Sequence, residues 1–229
     1  IVGPAKTARL VDLALYTRMT VSADSEWVIR GLSDAAAAEG IRLRVIVGIS
    51  GASGAALGMR IIELLAAAGK CELHVVVTAA GERTLLHEAG EHASAKISEL
   101  AAKRHAIDNI GASIASGSFR SAGMIVAPCS IRTLSAIAAS AADNLLVRAA
   151  DVHLKERRRL VLMVRESPLH LGHLRAMAAV TEIGAIVAPP VPAFYARPLS
   201  VDELVDHIAR RAIALLDVDL GVAVSEWTG

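Results

Sequence analysis

The segment Gly48-Ile-Ser-Gly-Ala-Ser-Gly54 joins an apolar run to a helical pattern. Small residues at such a junction let backbone N–H groups approach an anion where the helix dipole favours negative charge. A tight turn closed by a serine cap would use the same residues. The spacing is not G-x-G-x-x-G, and Thr78 stands where a ribose-binding Asp or Glu belongs. That argues against a dinucleotide and favours a mononucleotide with one phosphate, such as a flavin. Gly-Lys-Ser/Thr is missing, which excludes a P-loop. Arg165 and Glu166 directly follow the apolar run Leu160–Val164. There an Arg can grip phosphate with two parallel N–H bonds, and a Glu whose pKa is raised by burial can act as general acid or base. Arg148 and the run Lys155–Arg159 add positive charge, although such a run also suits a solvated helix end. Phe194-Tyr195 ends a proline-rich stretch in a chain with only 3% aromatics, so its position after the last strand is informative.

Other groupings carry less. Gly51-Ala-Ser-Gly-Ala55 approaches a nucleophile elbow, and Asp202 and His207 follow in hydrolase order, but both lie in an amphipathic helical pattern. His87-Glu-Ala-Gly-Glu-His92 is neither H-E-x-x-H nor H-x-x-E-H, and His170 and His173 have no evident third ligand. No metal site is expected. Cys129 is either a reactive thiol or, more simply, a small packed hydrophobe.

The elements that would position these residues alternate. Strands are predicted over Leu43–Ile49, Glu72–Thr78, Met124–Ala127, Leu160–Val164 and Ala185–Ala188. Helical patterns fill Ala55–Ala68, residues 80–104, the stretch after Ser130 through Lys155, His170–Ile183 and Val201–Asp217. This order implies an α/β fold: a parallel sheet covered on both faces, with ligands at the carboxyl ends of its strands. The Gly, Ser, Pro and Arg clusters fall at those ends. The organisation expected is an N-terminal appendage (1–41, with short helices at Lys6–Tyr16 and Ser25–Ala38), a ligand-binding domain (42–220) and a tail (221–229). Residues 1–41 show no basic segment ahead of a long apolar core, as a secretory signal would.

With 24 Lys+Arg against 23 Asp+Glu, the charge gives no reason to expect nucleic acid or an anionic membrane surface. Hydrophobic residues make up 54%, which excludes a disordered polyelectrolyte. The longest apolar runs, Val45–Met59 and Ile183–Tyr195, are interrupted before the roughly 18–20 residues of a membrane span. Two cysteines suit a reducing cytoplasm.

Six segments in order resemble the UbiX-type flavin prenyltransferases: Gly48–Gly54, Ser116-Gly-Ser-Phe119, Pro128-Cys-Ser-Ile-Arg-Thr-Leu134, Asp143–Arg157, Arg165-Glu-Ser-Pro-Leu169 and Pro192-Ala-Phe-Tyr195. The resemblance spans about Val45 to Asp217. It implies a flavodoxin-like (Rossmann-like) doubly wound sheet in a dodecamer with active sites between subunits. The implied activity is metal-free transfer of a dimethylallyl group from dimethylallyl phosphate to N5 and C6 of reduced FMN. The product, prenylated FMN, would serve a UbiD-type decarboxylase. An FMN carrier or FMN-dependent decarboxylase-like flavoprotein is the alternative. By position, the resemblance assigns Ser50, Gly51, Ala52, Ser53, Thr78, Ser130, Ile131, Arg132, Thr133 and Arg165 to FMN. It assigns Arg148, Lys155, Glu166, Tyr195 and Arg211 to the prenyl phosphate. Ser53, Glu88, Lys155 and Glu166 would carry the catalytic steps. Ile131-Arg132 departs from the small pair of many relatives, so Arg132 either touches the flavin phosphate or faces solvent. His170-Leu-Gly-His173 resembles a subgroup associated with phenolic-acid decarboxylases.

Overall fold

A computed structural model describes residues 43–223. The expected appendage, its two helices, and residues 224–229 of the tail lie outside the described residues. Six strands form one sheet in the order β3-β2-β1-β4-β5-β6. They are β1 (Leu43–Ile49), β2 (Cys71–Val77), β3 (Lys103–His105), β4 (Gly123–Cys129), β5 (Arg159–Val164) and β6 (Ile186–Val187). Pairing is parallel from β1 to β4, with Val45 opposite Gly123 and Gly48 opposite Val126, and it stays parallel through β5 and β6 and between β2 and β3. From β1 the chain builds outward to β3, then crosses back to place β4 on the other side of β1. The crevice between β1 and β4 is therefore the topological switch point, where doubly wound sheets hold ligands.

Helices cover both faces. On one side α1 (Ala55–Ala68) packs with α2 (Ala79–Ala89), α3 (Ala93–Leu100) and α7 (Val201–Ala214). On the other α4 (Ile131–Ala138) packs with α5 (Leu145–Lys155) and α6 (Leu171–Glu182). Because side chains alternate along a strand, Ile46, Val76, Met124, Val126, Leu160 and Leu162 point to the second layer and pack with Leu134, Ile137, Leu146 and Val147. The intervening residues Val45, Val47, Val75, Ile125 and Val161 are equally buried, so both faces are apolar, as the continuous runs implied.

Three differences from the sequence reading have local causes. Residues 80–104 hold two helices broken at Gly90 and then the edge strand β3, whose Lys-Arg-His carries no apolar run. The stretch from Ser130 to Lys155 is two helices, because Asn144 caps a new one by accepting from Val147 N at 3.0 Å. The last helix ends at Ala214 rather than Asp217, which turns out with φ 58°. Among the described residues no helix is long and apolar enough to cross a membrane.

Candidate active site

The crevice is built by chain ends that tie to one another. Ser50, the first residue beyond β1, is fully buried; its Oγ donates to Pro128 O at 2.9 Å and accepts from Ser130 N at 2.8 Å. Thr78 N donates to Ile49 O at 2.9 Å, and Arg165 N donates to Cys129 O at 3.1 Å. The ends of β1, β2, β4 and β5 are thus fixed side by side. Gly51 runs against Ala80, leaving no room for a side chain. Gly54 holds φ 109°, in the left-handed region that favours glycine, to turn the chain into α1.

The first turn of α1 already has an anion. Glu88, at the end of α2, accepts from Gly54 N at 2.8 Å and Ala55 N at 2.7 Å. The Gly48–Gly54 turn, expected to offer its N–H groups to a ligand, gives that of Gly54 to an internal carboxylate, which also takes Ala55 N. This fixes Glu88 close to the exposed Ser53. The first turn of α4 differs. Ser130 caps it through Thr133 N at 3.3 Å, while the N–H groups of Ile131 and Arg132 belong to the first turn, which has no intrahelical acceptors. Thr78 caps α2 in the same way, accepting from Gly81 N at 3.0 Å. Arg165 and Glu166 are exposed at the adjoining strand end, and Glu166 Oε1 accepts from Ser167 N at 3.0 Å.

Three residues expected to face FMN have side chains turned into the protein. Ser50 braces β1 against β4, Thr133 is buried with its hydroxyl on Ser130 Oγ at 3.2 Å, and Ile131 packs against the core. Arg132 pairs with Asp143 in an exposed ion pair.

The residues assigned to the prenyl phosphate do not converge within one chain. Lys155 ends α5 and precedes β5, whereas Glu166 follows β5; six residues of strand separate the two edges by roughly 17–20 Å. Lys155 pairs with Glu156, and Arg148 with Asp151 at 2.7 Å. Tyr195 meets His207 edge-on, with centroids 6.2 Å apart, beside an open groove of about 930 Å³. The groove is lined by α1, Glu88 and residues 193–210, and Arg211 is exposed on the same helix, α7.

The weaker sequence motifs resolve simply. Ser53 makes no hydrogen bond to His207 among the described residues, and His87 and His92 are exposed. No three His, Cys, Asp or Glu side chains among the described residues are grouped to hold a metal. Cys129 is buried, and burial pushes its thiol pKa up to about 12, which makes it a packed hydrophobe rather than a nucleophile. Sequence reasoning missed one polar cluster at the opposite edge. Arg44 Nε donates to Glu72 (3.1 Å), His74 Nε2 lies 2.9 Å from Glu72, and His74 Nδ1 lies 2.9 Å from His105 Nε2. The alternation Glu72–His74 within a buried strand was its only signal.

A doubly wound sheet whose switch point is lined by small residues, hydroxyls, a helix N-terminus and one Arg defines a flavoprotein, and the Flavoprotein family model matches residues 35–213. The flavin prenyltransferase UbiX of Thauera aromatica is 51% identical over 187 residues, 82% of this chain and 95% of that relative. The Escherichia coli K12 enzyme of the same name is also 51% identical, over 81% of this chain and 98% of its own. The chain belongs to the flavin prenyltransferase UbiX family. Among solved structures, AnUbiX in complex with FMN and dimethylallyl pyrophosphate has a TM-score of 0.77 at 42% identity, covering 82% of this chain and 98% of its own. A dodecameric FMN-dependent UbiX-like decarboxylase from Escherichia coli O157:H7 matches equally well at 40% identity, covering 82% of this chain and all of its own.

Proposed function

We propose that this protein joins the dimethylallyl group of dimethylallyl phosphate to reduced FMN, at a site completed by a second copy of the chain. The observation that carries the reading is the separation of Lys155 from Glu166 across β5, in a chain about half identical to prenyltransferases. The crevice suits FMN: Gly51 and Ala52 put little side-chain bulk beyond the end of β1, and Ser53, Thr78 and Ser130 are hydroxyls at its rim. The first-turn N–H groups of α4 and the Arg165 guanidinium suit a phosphate. Reduced FMN supplies the nucleophilic N5 and C6 that receive the prenyl group.

The chain's own residues do the rest. Glu88, oriented by two backbone N–H bonds, and Ser53 would face the ring. Glu166 engages Ser167 N through Oε1, which leaves Oε2 to hold or release a proton as the new ring closes. Arg148, Lys155 and Arg211 offset the charge of the departing phosphate, and Tyr195 positions it. The charged groups that lie far from the crevice in one chain would come from neighbouring copies. The dodecameric relative supports such an assembly. The product would pass to a UbiD-type decarboxylase in the cytoplasm.

Complementation tests the shared site. Lys155→Ala and Glu166→Gln variants should each be inactive alone. Co-assembled at random in equal amounts, they should recover about a quarter of wild-type activity, because one site in four draws both intact residues from different copies. No recovery in verified mixed assemblies would place both residues in one chain's site.

A further inference from the structure

The Ser116–Phe119 turn lies on the Lys155 side of the sheet, away from Arg165. A side-chain carbon on Gly117 would meet Glu156 Oε1 first and Lys155 Nζ at 2.7 Å, so the Lys155–Glu156 ion pair rests directly over the turn. Ser116 and Ser118 are exposed, with hydroxyl oxygens 2.8 Å apart. Ser116–Phe119 is neither helix nor strand, and it is held by side chains at both ends. The Arg158 guanidinium, on a side chain only 11% exposed, donates to Gly117 O at 2.6 Å and to Phe119 O at 2.7 Å. At the other end the Phe119 ring meets His74 edge-on, with centroids 4.9 Å apart, and the Arg44 guanidinium lies 4.7 Å from its centre.

Two carbonyl oxygens turned toward Lys155 would repel a phosphate bound there. Arg158 draws both of them inward, and a trans peptide points its N–H opposite to its C=O. The Ser118 N–H is accordingly directed to Ser116 Oγ, at 3.3 Å. Arg158 also lies 3.9 Å from the Glu156 carboxylate, giving that group a second cation when an incoming anion claims Lys155. We infer that Arg158 is a positioning residue for the phosphate end of the prenyl donor. It holds the Gly117 and Phe119 carbonyls away from Lys155, so that the ammonium and the Ser116–Ser118 turn present one anion-binding surface. The inference rests on the proposed role of Lys155 at the donor phosphate.

Calorimetry of dimethylallyl phosphate binding to the full-chain, FMN-loaded assembly tests it, with FMN affinity measured separately. Arg158→Gln should weaken the donor about tenfold, as expected for loss of a two-pronged charged anchor, with FMN affinity unchanged within about twofold. Combining it with Lys155→Ala should weaken the donor no further than Lys155→Ala alone, since groups acting through one another are not additive. Arg158→Lys keeps the charge but not the fork; it should show the same loss and carries the test if Arg158→Gln does not assemble. Normal donor affinity in the Arg158 variants, beside a weakened Lys155→Ala, would overturn the inference alone. So would fully additive losses or a parallel loss of FMN. Normal donor affinity in Lys155→Ala would overturn the Lys155 reading and this inference with it.

Discussion

His153 is fully buried, and its partners assign its tautomer: Nδ1–H donates to Ala149 O at 2.7 Å, so Nε2 accepts from Ser121 Oγ at 2.8 Å. Burial holds its pKa down at about 4. His105 is likewise lowered to about 4, chiefly by burial and then by His74 and Lys103. Each binds a proton more readily unfolded than folded. Stability should therefore fall as pH drops below the ordinary histidine value near 6.5 and stop falling from this source below about 4. Denaturant unfolding at pH 7 and pH 5 should differ by about 2 kcal/mol per histidine. Equal stability at the two pH values would mean these rings are protonated in the fold. At the crevice, Glu166→Gln keeps size and hydrogen bonding but cannot carry the proton. It should leave FMN binding within about twofold and slow prenyl transfer by roughly 10²–10⁴, the usual worth of a positioned acid or base. Unchanged turnover would remove Glu166 from the mechanism.

Ser50 links two elements rather than touching a ligand, and the cost of losing it belongs to both. Ser50→Ala strips the part-buried N–H of Ser130 and the carbonyl of Pro128 of their side-chain partner; it should destabilise the protein by about 1–3 kcal/mol. It should also weaken FMN, because the ends of β1 and β4 then hold their spacing less tightly. A stability loss with FMN affinity intact would show that the crevice does not depend on that brace. Most elements were legible beforehand because apolar strands and small-residue turns announce themselves. Gly54, Gly69 and the hydroxyl caps Thr78 and Ser130 stand where the strand–helix boundaries fall. The edge strand β3 was not legible, since three charged or polar residues carry no apolar period. Nor was the direction of the Ser50 and Thr133 side chains. That follows from which backbone groups lack partners once β1 and β4 are adjacent, a long-range fact absent from local spacing. The Glu88 contact with α1 spans more than thirty residues and left no local signal in the sequence.

At the scale of the molecule, the chain presents more apolar surface than its own core needs. Leu199 is 90% exposed, Val201 76%, Phe194 75% and Val191 71%, all in the segment that carries Tyr195. Such a contiguous stretch suits a contact between copies, as does the proposed catalytic set, divided between opposite edges of the sheet. Purified protein should be mixed anaerobically with FMN, dithionite and dimethylallyl phosphate, and the mass of the extracted flavin measured. Gain of one dimethylallyl unit is the predicted result. FMN that is bound yet unmodified, with the diphosphate donor equally inert, would contradict the account and leave a flavin-binding protein that does not transfer prenyl groups.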